Sequence, residues 1–264
     1  MIFELSNRSI IKVFGPDAEV FLQSQFTNDI KKINESKIQL NAYCQHQGKV
    51  TSLLWVFKKS GNFYLSLPKS LKDIILSKLN LFKMMSNLEI EDYSGAIYQY
   101  GIINENIEGA MHIIDNLFLK TSRQKISHTN DFSIWEYECI QNKLPEVDLT
   151  STEKHVPQSL NLDLNEYGVS FSKGCYPGQE VVARMHYLGK PKRRLFRFIS
   201  KFEVYVGDSI DVQNSNSLKS SGQVIRVTKE SGKFHFLGVF ELSHMNDQIF
   251  LNNDQNKIVK LIHE

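Results

Sequence analysis

Lys173-Gly174-Cys175-Tyr176-Pro177-Gly178-Gln179-Glu180 crowds a thiol, a cation, two glycines and a carboxylate into eight residues. The glycines let the backbone turn sharply or approach a ligand closely, and Pro177 suits the first position of a helix continuing through Glu180, Val181, Val182 and Ala183. Cys175 would then stand just before a helix N-terminus. Unpaired amides there, with Lys173 beside them, favour the thiolate and make the sulfur a better nucleophile and metal ligand. The same residues also describe a tight turn around a half-buried, inert cysteine, because free cysteines are commonly small buried hydrophobes.

Downstream, Arg184, Lys190, Lys192, Arg193, Arg194 and Arg197, with His186, form a basic stretch free of acids. It could hold an RNA backbone or the carboxylates of a small ligand's glutamate tail. It also reads as a solvated linker and strand end, since no platform of exposed aromatics is evident beside it. After Gly189 short apolar segments recur at 195–200, 208–213, 222–229, 234–241, 247–251 and 257–262 with turn residues between them. That is the pattern of a small antiparallel barrel or sandwich, and it sets a domain boundary near residue 190.

Upstream, Ile10 to Val13 reads as a strand, and Gly15-Pro16-Asp17 opens a helix carrying Ala18, Phe21, Leu22 and Gln25 on one face. Residues 38–45 alternate apolar and polar, which makes Cys44 a core residue of a half-buried strand. Turns at 46–49 and 58–61 continue the meander through 50–57 and 63–67. A helix is predicted over 69–82, strand-like pieces near 88–93, 96–103 and 111–121, and a helix over 132–144 stopped before Pro145. Strands, a helix and strands again indicate an α+β layer rather than a doubly wound sheet. A polar, irregular connection over 146–167 leads back to the cysteine stretch.

The chain has 264 residues, 41% hydrophobic and 23% charged, with a net charge of +2. These values describe an ordinary globular protein and offer no global argument for nucleic acid or membrane. The longest apolar run, Leu53 to Phe57, is too short to cross a bilayer, and Met1-Ile2-Phe3-Glu4 lacks a targeting pattern, so the chain reads as cytoplasmic. Cys44, Cys139 and Cys175 are an odd number without CxxC pairing, which excludes a disulfide framework or a self-contained cluster and leaves no metal site to name. No HExxH, GxGxxG, Walker or GxSxG pattern is present. Cys175 and His186 would lie roughly 16 Å apart along a helix, too far for a nucleophile and base.

The cysteine stretch, followed by Val181-Val182-Ala183-Arg184-Met185-His186-Tyr187-Leu188-Gly189-Lys190-Pro191-Lys192-Arg193-Arg194, resembles the signature of the YgfZ family of folate-binding proteins, relatives of the glycine-cleavage T protein. The likeness extends to Leu22-Gln23-Ser24-Gln25-Phe26-Thr27-Asn28-Asp29 and to Pro157-Gln158-Ser159-Leu160-Asn161-Leu162, although residues 58–130 carry no matching motif. It implies two intertwined α+β, ferredoxin-like subdomains over 1–190, exchanging chain at roughly 46–115, and a small C-terminal antiparallel β-barrel over 191–264. It implies tetrahydrofolate in a central hole, with Lys173, Tyr176, Gln179, Glu180, Gln141 and Arg184 as cofactor-binding residues and Cys175 as the functional thiol. Gln141 stands where the T protein has a pterin-gripping glutamate, and a neutral amide can still pair with a pterin edge. Pro177 replaces the commoner threonine.

The leading expectation is an accessory protein serving iron-sulfur enzymes or cluster-assembly proteins, including enzymes that thiolate tRNA, rather than a conventional catalyst. One alternative is a folate-dependent one-carbon transferase with Asp29 or Asp92 as its carboxylate. The other is weak direct tRNA contact through residues 184–197, with Arg193 and Arg194 as its test positions.

Overall fold

The computed structural model describes residues 1–35, 37–105, 107–213 and 220–262. The chain opens with strands β1 (Ile2–Glu4) and β2 (Arg8–Phe14), helix α1 (Ala18–Gln25), strands β3 (Ile38–Cys44), β4 (Val50–Lys59) and β5 (Asn62–Pro68), helix α2 (Lys72–Phe82) and β6 (Glu89–Asp92). Strands β7 (Tyr98–Ile103), β8 (Ala110–Ile114) and β9 (Leu117–Ser122) come next, then helices α3 (Phe132–Gln141) and α4 (Gln179–Leu188). Six more strands close the chain: β10 (Arg193–Ser200), β11 (Ser209–Val212), β12 (Gly222–Glu230), β13 (Lys233–Glu241), β14 (Ile249–Leu251) and β15 (Asp254–Ile262).

β2 to β6 form a five-stranded antiparallel sheet in the order β3-β4-β5-β2-β6, and β1 joins a four-stranded sheet in the order β1-β7-β9-β8. β1 pairs with β7 through Ile2 and Ile102, so the chain begins one sheet, builds the other and returns. This interleaved α+β arrangement precedes a closed barrel, β10-β13-β12-β11-β14-β15. The six barrel segments foreseen in the sequence are all present as β10 to β15.

Both sheet faces of β4 are covered, which explains its unbroken apolar run. Leu54 and Val56 meet Leu22 of α1, Phe26 at its C-terminal cap, and Ile75 and Leu79 of α2, whereas Leu53, Trp55 and Phe57 join Trp135, Leu117 and Leu119 in a second core shared with the other sheet. That second core continues into Leu195, Ile225, Leu237 and Val239 of the barrel. Trp135 lies flat on Gly101 of β7, where an added Cβ would sit 2.5 Å from the indole. The barrel's own core is built from Phe198, Ile210, Val224, Phe236 and Phe240.

Four local expectations are corrected. The 111–121 piece is a hairpin, broken at Asp115, whose φ of 43° places it in the left-handed region. α3 stops at Gln141 because Lys143 turns left-handed at φ 49° ahead of Pro145. The 146–167 connection, expected as polar and irregular, buries Val147, His155, Leu160 and Leu162 and includes short 3-10 turns at Pro157–Leu160 and Leu164–Glu166, so it packs into the core. Pro177 lies ahead of α4 rather than in its first turn, and Gly178 at φ 82° precedes the first helical residue.

Candidate functional site

The two signature segments meet at Lys173. Its side chain is 8% exposed, and its ammonium donates to the carbonyl oxygens of Gln23 (2.5 Å), Phe26 and Asn28 (3.1 Å) while lying 5.3 Å from the centre of the Tyr176 ring. Burial pulls Lys173 down to about 8, opposed by Asp29. The sequence suggested that Lys173 tunes the neighbouring thiol, but its three donated hydrogen bonds go to the backbone of residues 23–28 instead. A buried cation saturated by carbonyls is a fastening.

The fastening is reinforced on either side. Thr27 donates through Oγ1 to Gly168 O (2.6 Å) and accepts from Ala42 N (2.9 Å), and Ser170 N donates to Thr27 O (3.0 Å). Asn28 donates through Nδ2 to Leu40 O and Tyr167 O, and its own amide donates to Asn41 Oδ1. The Thr-Asn pair therefore ties β3 to the chain entering the cysteine stretch.

Gly178 completes the support from the other direction. A Cβ there would meet Gln45 O at 2.5 Å and Gly48 Cα at 2.6 Å, so the glycine allows backbone to rest on the β3–β4 turn. Gly174 faces open space. Tyr176 is buried, and burial together with nearby Cys44 pushes its hydroxyl upward. Cys175, between two anchored neighbours, is exposed; Cys44 and Cys139 are buried, and burial raises both thiols.

α4 carries Gln179, Glu180 and Arg184 along its length, with Val182 as its buried contact and Gln158 Nε2 donating to Val182 O at 2.7 Å. The downstream basic stretch divides. Arg193 pairs with Glu241 (2.7 Å), Arg194 grips Asp163 through both of its terminal nitrogens (2.5 and 2.9 Å), and Arg197 donates to the Gln141 amide oxygen. Arg184, Lys190 and Lys192 remain exposed on α4 and the loop after it. An aromatic platform that the sequence did not reveal stands beside them: Phe171 and His186 stack at 3.6 Å and 16°, and Tyr187 meets His186 edge-on at 4.8 Å. Residues 171 and 186 are fifteen apart in the chain, so no local pattern could announce their contact.

Gln141 stands away from this group, at the end of α3, in a cavity of about 100 Å³ lined also by Tyr137, Arg197 and His235. Asp29 accepts from Gln23 Nε2 (3.0 Å) and caps the turn at Lys31. Burial acts to raise Asp92, yet bonds from Lys72 and Ser94 hold it down at about 2.

A larger cavity, about 590 Å³, opens where the β5 end, α3 and the barrel converge. Lys69, Phe132, Glu136, Glu146, Asp148 and Arg226 are among its walls. A bulge between Val224 and Arg226 in β12 accompanies the inward turn of Arg226, which holds Glu136 through two bonds (2.7 and 3.0 Å) and Leu144 O (3.0 Å). Arg8 binds Glu146 and both oxygens of Ser66 and lies 3.7 Å from the Trp55 ring centre; burial lowers its guanidinium, with Glu146 opposing. These two inward arginines were missed because a single cation in an apolar strand reads as a solvent-facing residue. Among the described residues no three metal-ligating side chains come together, and no helix is long and apolar enough to cross a membrane.

No family model matches the chain. It is 30% identical over 260 residues to an uncharacterized protein of Haemophilus influenzae, covering 95% of this chain and 88% of the relative. It is 30% identical over 251 residues to the tRNA-modifying protein YgfZ of Vibrio atlanticus (84% and 75% covered) and 30% over 261 residues to that of Colwellia psychrerythraea (85% and 80%). Among solved structures, the glycine cleavage system aminomethyltransferase T of Bartonella henselae superposes with a TM-score of 0.67 at 11% identity, covering all of this chain and 84% of that one, so the two share a fold. With 30% identity across three quarters or more of these relatives, on a scaffold whose two signature segments are fastened together at Lys173, the chain belongs to the YgfZ family of tRNA-modifying proteins.

Proposed function

We propose that this protein is a cytoplasmic, folate-binding accessory factor for the assembly or repair of iron-sulfur enzymes, including those that thiolate tRNA, acting through tetrahydrofolate and Cys175. The observation that carries this reading is the exposed Cys175 held between the buried Lys173 and Tyr176. Such a thiol is presented to a macromolecular partner on a rigid mount, without a base in the same stretch to make it a self-sufficient nucleophile. The relatives' common name supports the connection to tRNA modification.

For the folate, the 590 Å³ cavity falls within the size range of small-molecule sites. Glu136, Glu146 and Asp148 retain acceptor capacity for the N–H edge of a pterin, Phe132 offers an apolar wall, and exposed Lys69 suits a glutamate tail. These residues fit the ligand. When bound, tetrahydrofolate supplies a reduced pterin and a one-carbon carrier. None of the six residues expected to bind the cofactor lines this cavity: in this reading Lys173 and Tyr176 fix the loop, Gln179, Glu180 and Arg184 form its helical flank, and Gln141, bonded to Arg197, lines the separate cavity of about 100 Å³. The folate-binding region takes residues 1–190 and the barrel 191–264.

Calorimetric titration with tetrahydrofolate polyglutamate tests the folate component. Binding is expected, weakened several-fold by Lys69→Glu; absence of heat with the wild-type protein would remove folate from the account. The one-carbon transferase alternative has no specific support, since neither Asp29 nor Asp92 lines this cavity.

A further inference from the structure

We propose that the outer face of α4 and the loop following it form a docking site for single-stranded RNA, in which an unpaired base extends the Phe171–His186 stack and the flanking phosphates meet Arg184, Lys190 and Lys192. The choice of RNA over DNA rests on the tRNA-modification reading above; the site itself rests on geometry.

Three observations converge. Phe171 and His186 are nearly parallel at 16° with centroids 3.6 Å apart, and Tyr187 stands edge-on to both rings, at 84° to His186 and 72° to Phe171. Phe171 is half-buried beneath the pair, whereas His186 is exposed and Tyr187 is 65% exposed, so the stack ends at solvent with a second ring as its wall. A base is a planar π-face of the right kind to continue such a stack, and stacking tolerates any base.

The charges lie where a backbone would follow. Arg184 precedes Tyr187 by three positions and Leu188 by four, so all share one helix surface. Gly189 ends the helix in extended conformation, and exposed Lys190 and Lys192 continue the line beyond it. No acidic residue occurs between Val181 and Phe202; exposed Glu180 stands one turn before Arg184 at the opposite end of α4 from Lys190 and Lys192, and Asp163 and Glu241 are already held by Arg194 and Arg193. On α4 and the loop before β10, Arg184, Lys190 and Lys192 are therefore the cations left exposed to solvent. Leu188, 84% exposed, adds an apolar shoulder. A protein partner would be expected to cover Leu188 with apolar surface, but three outward cations and an open ring stack match a strand of phosphates and bases better.

The test is fluorescence anisotropy of a labelled single-stranded RNA of about a dozen nucleotides with the full-length protein, over a salt series. Wild type is expected to bind with an affinity falling steeply with salt. Lys190→Glu with Lys192→Glu should weaken binding at least tenfold and flatten the salt dependence, since each phosphate contact contributes about 0.7 to the logarithmic slope. Tyr187→Ala and His186→Ala should each weaken it roughly fivefold or more with the salt slope unchanged. No binding by wild type, or equal binding by all four proteins, overturns the proposal. Equal affinity for DNA of the same sequence overturns the commitment to RNA. Thermal melting of each variant separates lost docking from a loosened helix: a lower melting temperature with RNA affinity intact also overturns it. Tetrahydrofolate titration of the same variants should be unchanged, so failure of RNA docking and failure of the folate reading are seen independently.

Discussion

The ammonium of Lys173 donates to the main-chain carbonyl of Asn28 across 3.1 Å, spanning 145 positions of sequence. Together with its bonds to Gln23 and Phe26, this contact fixes the loop that presents Cys175. Lys173→Met keeps the stem's length but leaves three carbonyls without their donor, and is expected to cost roughly 2–4 kcal/mol in urea unfolding. Cys175 should then react faster with a bulky maleimide, because its loop has lost its mount. Unchanged stability and unchanged alkylation would show that the cradle does not hold the loop.

The two motif glycines should behave differently. Gly178→Ala forces a Cβ to 2.5 Å from Gln45 O at a φ of 82°, an expected loss of roughly 2 kcal/mol or more, while Gly174→Ala enters open space and should change stability by less than about 0.5 kcal/mol. Melting curves of the two variants decide this; equal effects would contradict the description of the turn.

His155 gives the fold a pH dependence. It is 7% exposed, its Nε2 lies 3.2 Å from Gln223 Oε1 of the barrel, and burial lowers it to about 4 despite that bond. Between about pH 4 and 6.5 the unfolded chain binds a proton that the folded one does not, so stability rises with pH across this window and falls as pH drops through it. The loss by pH 4 from this group is about 3 kcal/mol at most. His155→Gln should flatten that part of the urea-midpoint profile relative to wild type; parallel profiles would assign the acid sensitivity elsewhere.

The cavity arginines are committed to their carboxylates. Glu136→Gln removes the only carboxylate hydrogen-bonded to buried Arg226 among the described residues, leaving the more distant Glu146, and should destabilise by roughly 3–5 kcal/mol, whereas combining Glu136→Gln with Arg226→Leu should recover much of that loss. A double-mutant cycle measures the difference, and additive effects would deny the coupling.

What was legible in the sequence followed from local periodicity and punctuation. Alternation through Ile38 to Cys44 identified β3, and the six barrel segments were visible because short apolar runs recur with turn residues between them. The 111–121 piece ran together because Asp115 and Asn116 form a tight turn without glycine or proline to mark it. The cysteine stretch announced an unusual site, but its support did not: the carbonyls of residues 23, 26 and 28 have no side-chain signature. The basic run 184–197 looked uniform, yet only contact with Glu241 and Asp163 separates structural Arg193 and Arg194 from exposed Arg184, Lys190 and Lys192.

On this account the exposed thiol of Cys175 does the protein's work. The direct measurement is the activity of an iron-sulfur enzyme that thiolates tRNA, assayed by thiolated nucleoside content, in a bacterial strain lacking its own family member and supplied with this chain. Wild type should restore the modification and Cys175→Ala, expressed and folded equally well, should not. Full restoration by Cys175→Ala would contradict the account.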